Sequence, residues 1–223
     1  MSKDSICEKL EKCFKKIEEN DTDNRKFAYW ALTSKLEIPF RDYFSYCLHE
    51  EYNRNQNMKI ISREYGLGNR QRADIMILDT NGVEEILIEF KACFTLNFEE
   101  YDKKEKNSKN KKSRYVCKVE SDFVNRSTVK NVSKENKYFV LLAVNPLKSI
   151  PNVNIKENEF YNRIIPNSTK INNFIGKGID VEKLEKEFRY AKLTMVDHNH
   201  ILLNDSFIKD LECELWWFVL KSV

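Results

Sequence analysis

The sequence lacks any Cys-x-x-Cys pair, although it contains six cysteines. Scattered cysteines of this kind predict reduced thiols in a reducing compartment, and they argue against a zinc cluster or a disulfide framework. The sequence also lacks an apolar run as long as a membrane span, and its N-terminus has no signal-peptide hydrophobic region. We therefore expect a cytoplasmic protein with no membrane partner.

A strong excess of one charge is also absent. The net charge of +3 does not by itself indicate a nucleic-acid partner, so a binding surface must be inferred from where the basic residues lie. The 223 residues are 41% apolar and 33% charged, which is typical of a globular protein and not of a disordered one. This length predicts one domain, or one domain with a modest appendage, and it suffices to bury a sizeable core.

Residues 72–91 have the pattern of a β-hairpin. Residues 75–78 and 85–88 are short aliphatic runs, and Asn81-Gly82 between them is a strong signal for a two-residue turn. A turn of that length sets the register of the whole hairpin, because it decides which residues of the two strands face each other.

In that register Asp74 faces Glu89 and Arg72 faces Lys91, and all four side chains share one face of the hairpin. Two directly opposed carboxylates repel each other and destabilise a sheet. We therefore expect a cation between Asp74 and Glu89, and we interpret this face as a functional site.

Asp74 and the segment Glu89-Phe90-Lys91, which closes an apolar strand, resemble the catalytic pattern of the PD-(D/E)XK nuclease superfamily, the group that includes restriction endonucleases. In this chain Ala73 stands where the family usually has a proline. The resemblance implies an α/β fold with a restriction-endonuclease-like core, in which a central mixed β-sheet is flanked by helices.

The resemblance also implies a division of the chain. Its parts are a helical N-terminal lead at residues 1–36, a nuclease core at 37–146 and a C-terminal elaboration of the same domain at 147–223. The apolar periodicity around the hairpin agrees with the order of elements in such a core. It predicts a helix at 39–52, a strand at 58–65, a helix at 119–129 and a doubly buried strand at 138–144.

The resemblance implies a catalytic metal ion, Mg²⁺, or Mn²⁺ in its place. Mg²⁺ prefers oxygen ligands and usually binds through one or two carboxylates while it keeps several waters. Asp74, Glu89 and the backbone carbonyl of Phe90 would supply those oxygens. Lys91 would orient the attacking water or stabilise the negative charge that develops on the phosphate.

The resemblance also implies that the helix before the first core strand supplies a further acidic residue to the metal site. Glu37, Glu50 and Glu51 are the candidates, and Glu37, four residues before Arg41, has the spacing that fits best. A surface ion pair between Glu37 and Arg41 is the alternative interpretation.

Two basic segments are candidates for nucleic-acid binding. The connection that leads to Asp74 contains Arg70, Gln71 and Arg72, which could contact a phosphate or a base, or form a solvated turn. Residues 103–118 hold eight Lys or Arg residues against the single acid Glu105, and this run could bind a nucleic-acid backbone or form a solvated loop. Within that run we single out Lys111, Lys112 and Arg114.

The C-terminal part offers weaker signals. His198 and His200 could bind a metal, but no third ligand has a suitable spacing, and the pattern favours a polar turn within a hairpin. The apolar residues 215–220 predict a buried strand or helix, and a surface for a dimer partner is the alternative.

These features together predict a Mg²⁺-dependent endonuclease that hydrolyses phosphodiester bonds. The resemblance favours DNA over RNA and a restriction-type or defence role, and cutting both strands would require a homodimer. Two alternatives stay open. One is a structure-selective resolvase or an RNA endonuclease on the same core, and the other is a non-enzymatic nucleic-acid-binding or assembly protein that retains the fold.

Overall fold

The computed structural model describes residues 5–33, 36–54, 58–68, 71–98, 113–127, 131–148, 175–205 and 211–223. Within these ranges the helices are α1 (Ser5–Glu19), α2 (Asp21–Thr33), α3 (Glu37–Arg54), α4 (Arg114–Ser127) and α5 (Val181–Tyr190). The strands are β1 (Ile60–Gly68), β2 (Gln71–Leu78), β3 (Glu84–Phe94), β4 (Lys137–Pro146), β5 (Leu193–Asp205) and β6 (Leu211–Ser222).

The described strands form one mixed sheet of six strands in the order β1-β2-β3-β4-β6-β5. Strands β3 and β4 are parallel, and every other neighbouring pair is antiparallel. Parallel neighbours need a crossover connection, and α4 lies in the connection between these two strands. The predicted α/β class, with a central mixed sheet flanked by helices, is confirmed.

The two faces of the sheet bury separate apolar clusters. Alternate residues of β4 point to opposite faces, and the strand is buried along its whole length, as the apolar run at 138–144 predicts. Tyr138, Val140 and Leu142 join the cluster formed with α1, α2 and α3, whereas Phe139 and Leu141 join the cluster formed with α4 and α5. The sheet therefore lies between two helical layers.

The predicted two-residue turn of the β2–β3 hairpin is wrong. The Asp79 amide donates a hydrogen bond to the Val83 carbonyl at 3.0 Å, and the Gly82 amide donates one to the Asp79 carbonyl at 3.1 Å. The loop therefore has three residues, 80–82, and it ends on Gly82 in the left-handed region, with φ of 82°. This is the common three-residue hairpin in which a glycine follows a type I turn.

Further from the loop, β2 and β3 nevertheless pair in the register that was expected from a two-residue turn. Leu78 pairs with Glu84, but the next pair is Ile77 with Ile86, so Glu85 is an extra residue in β3. This β-bulge shifts the register by one position. Because the longer loop had shifted it by one position in the other direction, the two departures cancel. The pairs that approach the predicted site, up to Ile75 with Ile88, are those of the sequence prediction.

The hairpin loop is held by a carboxylate, which predicts a pH effect. Asp79 Oδ1 accepts hydrogen bonds from the amides of Val83 at 2.7 Å and Asn81 at 2.8 Å, and these bonds lower the pKa of Asp79. A lowered folded-state pKa stabilises the protein above the unfolded-state pKa of about 4, and this contribution is lost as the pH falls through the folded-state value. We expect Asp79→Ala to lower the urea midpoint more at pH 7 than at pH 3.

The matched control for this prediction is Asp79→Asn, which keeps an acceptor oxygen but has no titration. The difference in urea midpoint between wild type and Asp79→Asn should shrink as the pH falls, because it isolates the ionised carboxylate. An Asp79→Ala effect of equal size at both pH values would contradict the assignment.

The predicted turn at 197–200 is also wrong, because β5 continues through these residues. His198 pairs with Phe218 and His200 pairs with Trp216 on β6, and a bulge between Met195 and Asp197 adjusts the register. A long partner strand supplies hydrogen bonds all along β5, and this overrides the local preference of polar residues for a turn. The apolar residues 215–220 form part of β6.

Candidate active site

The candidate site lies where the pairing of β2 and β3 ends. Their ladder ends at Ile75 and Ile88, although β2 continues to pair with β1 as far as Gln71. Just beyond that point two side chains bridge the strands. The Phe90 amide donates a hydrogen bond to Asp74 Oδ2 at 2.8 Å, and the Asp74 amide donates one to Glu89 Oε2 at 3.4 Å.

Asp74 and Glu89 are therefore cross-strand neighbours, and the carboxylate of each strand binds the backbone of the other. Glu89 is buried, with 3% of its surface exposed, and the Asp74 side chain is 16% exposed. Burial of two neighbouring carboxylates costs free energy unless hydrogen bonds and positive charges compensate. The surroundings of these two groups contain such charges.

Lys91 lies between acids from the two helical layers. Its Nζ is 3.6 Å from Glu37 Oε1 and 3.8 Å from Asp122 Oδ2. Glu37 begins α3 on one side of the sheet, and Asp122 lies in α4 on the other. The structure thus brings Glu37, the preferred helix acid, to the same lysine that the sequence pattern selects.

The other two acids considered for that role lie elsewhere. Glu50 pairs with Arg54 at 2.6 Å within α3, and Glu51 pairs with Lys12 of α1 at 3.2 Å. The ion pairs described for Glu37 and Arg41 join them to other residues: Glu37 faces Lys91, and Arg41 faces Asp42, Glu64 and Asp74.

Arg41 is a site residue that sequence reasoning missed. Its guanidinium is buried and lies 3.0 Å from Asp42 Oδ1, 3.0 Å from Glu64 Oε1 and 3.7 Å from Asp74 Oδ1. Burial acts to lower the pKa of Arg41, but the hydrogen bonds with Asp42 and Glu64 and the charge of Asp74 raise it overall. A protein cation therefore lies beside Asp74, whereas the expected cation between Asp74 and Glu89 stays a prediction.

Sequence reasoning also missed Asp122, and the apolar periodicity of α4 gives only a weak indication of its position. Val119 and Phe123 of α4 are buried against the sheet, so their periodicity places Asp122 at the border of the buried face. Nothing local distinguishes Asp122 from Glu120, the other acid of the helix. Its role follows from the packing of α4 against the β3–β4 region.

The expected pairing of Arg72 with Lys91 is wrong, because the β2–β3 ladder ends before it reaches them. Arg72 pairs with Gly66 of β1, is exposed, and binds Glu64 Oε2 at 3.0 Å. Gln71 is also exposed and pairs with Gly68. Arg70, Lys111, Lys112 and the side chain of Arg114 lie outside the described residues.

The site offers few side chains that could bind a metal ion. No group of three or more His, Cys, Asp or Glu side chains could hold a metal ion within the described ranges. Mg²⁺ needs only one or two carboxylates, because waters and substrate oxygens complete its octahedron. Asp74 and Glu89 meet that requirement by type, and Phe90, whose ring packs against Phe40 and Phe44, holds the adjacent backbone in place.

The two C-terminal histidines lie in an exposed part of a strand. His198 and His200 are exposed on β5, and the His200 ring stacks on Trp216 with centroids 4.3 Å apart. This stacking and the strand pairing account for the position of His200 without a metal ion.

Comparisons with protein-family models, with curated proteins and with solved structures find no match to this chain. None of the helices in the described part of the chain is both long and apolar enough to cross a membrane. The residues around Asp74, Glu89 and Lys91 are therefore the guide to function.

Proposed function

We propose that this protein is a metal-dependent endonuclease of the PD-(D/E)XK type, which hydrolyses phosphodiester bonds and has DNA as its main substrate. The observation that supports this most directly is the bridge that Asp74 and Glu89 form where β2 and β3 separate, with Lys91 two residues further along β3. The element order also agrees with a restriction-endonuclease-like core, since α3 precedes the hairpin and α4 and the parallel strand β4 follow it.

Asp74, Glu89 and the Phe90 carbonyl are the proposed ligands of Mg²⁺ or Mn²⁺. When bound, the metal would act as a Lewis acid and make a bound water more acidic. Each carboxylate is already oriented by a hydrogen bond from the neighbouring strand. Ligands that are oriented before the metal binds need less rearrangement in the transition state, which favours catalysis.

Lys91 is the proposed group that stabilises negative charge on the phosphate. Its distances of 3.6 Å to Glu37 and 3.8 Å to Asp122 exceed normal hydrogen-bond lengths. The two acids therefore hold the ammonium group near the site without saturating it. The ammonium group therefore keeps hydrogen-bonding capacity for a phosphate oxygen or for the attacking water.

A second candidate function is nucleic-acid binding or assembly without catalysis. The contact of Arg41 with Asp74, at 3.7 Å, supports this alternative. A guanidinium beside a carboxylate weakens the attraction of that carboxylate for a metal cation, because the two positive charges repel each other. A protein that kept the fold and lost the chemistry could retain such an ion pair in place of the metal.

We expect the purified protein to nick supercoiled plasmid DNA with Mg²⁺ or Mn²⁺ and to be inactive with excess chelator, because the two carboxylates alone cannot activate water. The assay should include labelled linear duplex, branched DNA and RNA side by side. Gel electrophoresis would separate nicked from linear plasmid, and a linear product would support the homodimer that double-strand cutting requires.

The outcomes of this assay separate the candidates. Preferential cleavage of branched DNA would favour a resolvase, and preferential cleavage of RNA would favour an RNA endonuclease. A shift of DNA mobility without cleavage would favour the binding protein. Equal cleavage in Mg²⁺ and in chelator would contradict metal-dependent hydrolysis at Asp74 and Glu89.

A further inference from the structure

Two cysteines meet between the first and third helices, on the layer that carries Glu37 and Arg41. Cys13 of α1 and Cys47 of α3 both line one small cavity where these two helices meet, and each thiol shifts the pKa of the other. Both residues are buried, and 9% of the Cys47 surface remains exposed. Both cysteines line a small surface cavity, whose other residues include the lysines 9, 12 and 16. A small polar oxidant could therefore reach the pair.

The surroundings shift the pKa values of the two thiols in opposite directions. The hydrogen bond with Cys13 and then the positive charge of Lys16 lower the pKa of Cys47, although burial acts in the opposite direction. Burial and then Cys47 raise the pKa of Cys13. Asp23 and Glu50 also face the pair and oppose the effect of Lys16 on Cys47. Cys47 is therefore the more acidic thiol of the pair, and it is also the more exposed residue, at 9% against 1% for Cys13. A more acidic and more accessible thiol reacts more readily.

We propose that Cys13 and Cys47 form a reversible disulfide when the protein meets a hydroperoxide, and that Cys47 is oxidised first. This inference is independent of the nuclease proposal, because it rests on a different cavity and on residues that the candidate active site does not use. It assigns a modification site to the contact between α1 and α3.

The chemistry requires only hydrogen peroxide as oxidant. The Cys47 thiolate attacks one peroxide oxygen, the O–O bond breaks, and the leaving hydroxide takes up a proton and becomes water. Cys47 is then a sulfenic acid. The Cys13 sulfur attacks the Cys47 sulfur, the S–O bond breaks, and hydroxide leaves and takes the Cys13 thiol proton to form a second water. Two thiols are oxidised to one disulfide, and one peroxide is reduced to two waters.

Two other buried cysteines can be compared with this pair in their reactivity toward peroxide. Cys93 and Cys213 are buried free thiols, and burial raises the pKa of Cys213 to about 12 and also raises that of Cys93. A protonated thiol in an apolar environment is a poor nucleophile. Oxidation should therefore favour the pair Cys13–Cys47 over Cys93 and Cys213.

The test treats the native protein with one equivalent of hydrogen peroxide, alkylates the remaining thiols in denaturant, and maps peptides without reduction. We expect a mass loss of about 2 Da, for two hydrogen atoms, a linked peptide that contains Cys13 and Cys47, and reversal by dithiothreitol. In Cys13→Ser, dimedone should trap a sulfenic acid at Cys47. Cys47→Ser should lose the reaction, and Cys213→Ser should react like wild type.

A linked peptide with any other pair, or no mass loss in the wild type, would overturn the proposal. So would equal oxidation of Cys47→Ser and wild type. The wild-type map decides the question even if a serine variant does not fold, because it needs no substitution.

Discussion

Replacement of Lys91 by alanine should reduce Mg²⁺-dependent nicking of plasmid DNA by about 10²- to 10³-fold, the loss that follows removal of one group that stabilises transition-state charge. Lys91 is 24% exposed and lies on the strand that carries Glu89, between Glu37 and Asp122. The ammonium group is removed, whereas the strand and its neighbours remain paired through the backbone. The initial rate of plasmid nicking at saturating Mg²⁺ measures the effect.

The matched control is Lys59→Ala. Lys59 has the same side-chain exposure of 24% and also forms an ion pair with an acid, Glu85, at 2.6 Å. It precedes Ile60, which pairs with Leu78 beside the hairpin loop, so it lies at the end of the hairpin opposite to Asp74 and Glu89. We expect nicking by Lys59→Ala to stay near the wild-type rate. Equal nicking by Lys91→Ala and wild type would refute the assignment of Lys91.

Replacement of Phe14 by alanine should lower the free energy of unfolding by about 3–5 kcal/mol. The Phe14 ring is fully buried and stacks on Trp217 of β6, with centroids 3.8 Å apart and an interplanar angle of 7°. It also stacks on Phe40 of α3 at 4.6 Å. The substitution leaves a cavity between a helix and the sheet, where the surrounding aromatic rings cannot collapse without moving α3. Guanidinium chloride unfolding followed by tryptophan fluorescence measures the loss.

Tyr46→Ala is the control for that aromatic truncation. Tyr46 belongs to α3 and is 61% exposed, so its removal should change the free energy of unfolding by no more than about 0.5 kcal/mol. If the two variants lost similar stability, the packing of α1 against the sheet through Phe14 would not be a main source of stability.

The β2–β3 hairpin shows how far local sequence determines local structure. The two aliphatic runs and the turn signal Asn81-Gly82 between them were sufficient to place the two strands. The loop length could not be predicted from Asn81-Gly82 alone. Asp79 accepts two loop amides and stabilises a longer turn, and the bulge at Glu85 restores the register. Asp74 and Glu89 are cross-strand neighbours as predicted, because the longer loop and the β-bulge shift the register in opposite directions and cancel.

The C-terminal strands show the opposite case. The polar segment around His198 has the local preference of a turn, and only the presence of β6 beside it makes an extended strand favourable. Strand preference depends on neighbours across the sheet more than on the residue itself. No property of residues 197–200 alone could have revealed that partner.

By itself, the sequence determined the α/β class, the doubly buried strand β4 and the two carboxylates that meet at the end of the hairpin, because these depend on periodicity and on contacts between near neighbours in the chain. Only the tertiary structure decided which charges surround those carboxylates. Arg41 and Asp122 reach the site from helices on opposite faces of the sheet, and Glu37 is selected over Glu50 and Glu51 by its distance to Lys91. Coulomb interactions depend on distance in space, and that distance is set by packing between elements remote in sequence.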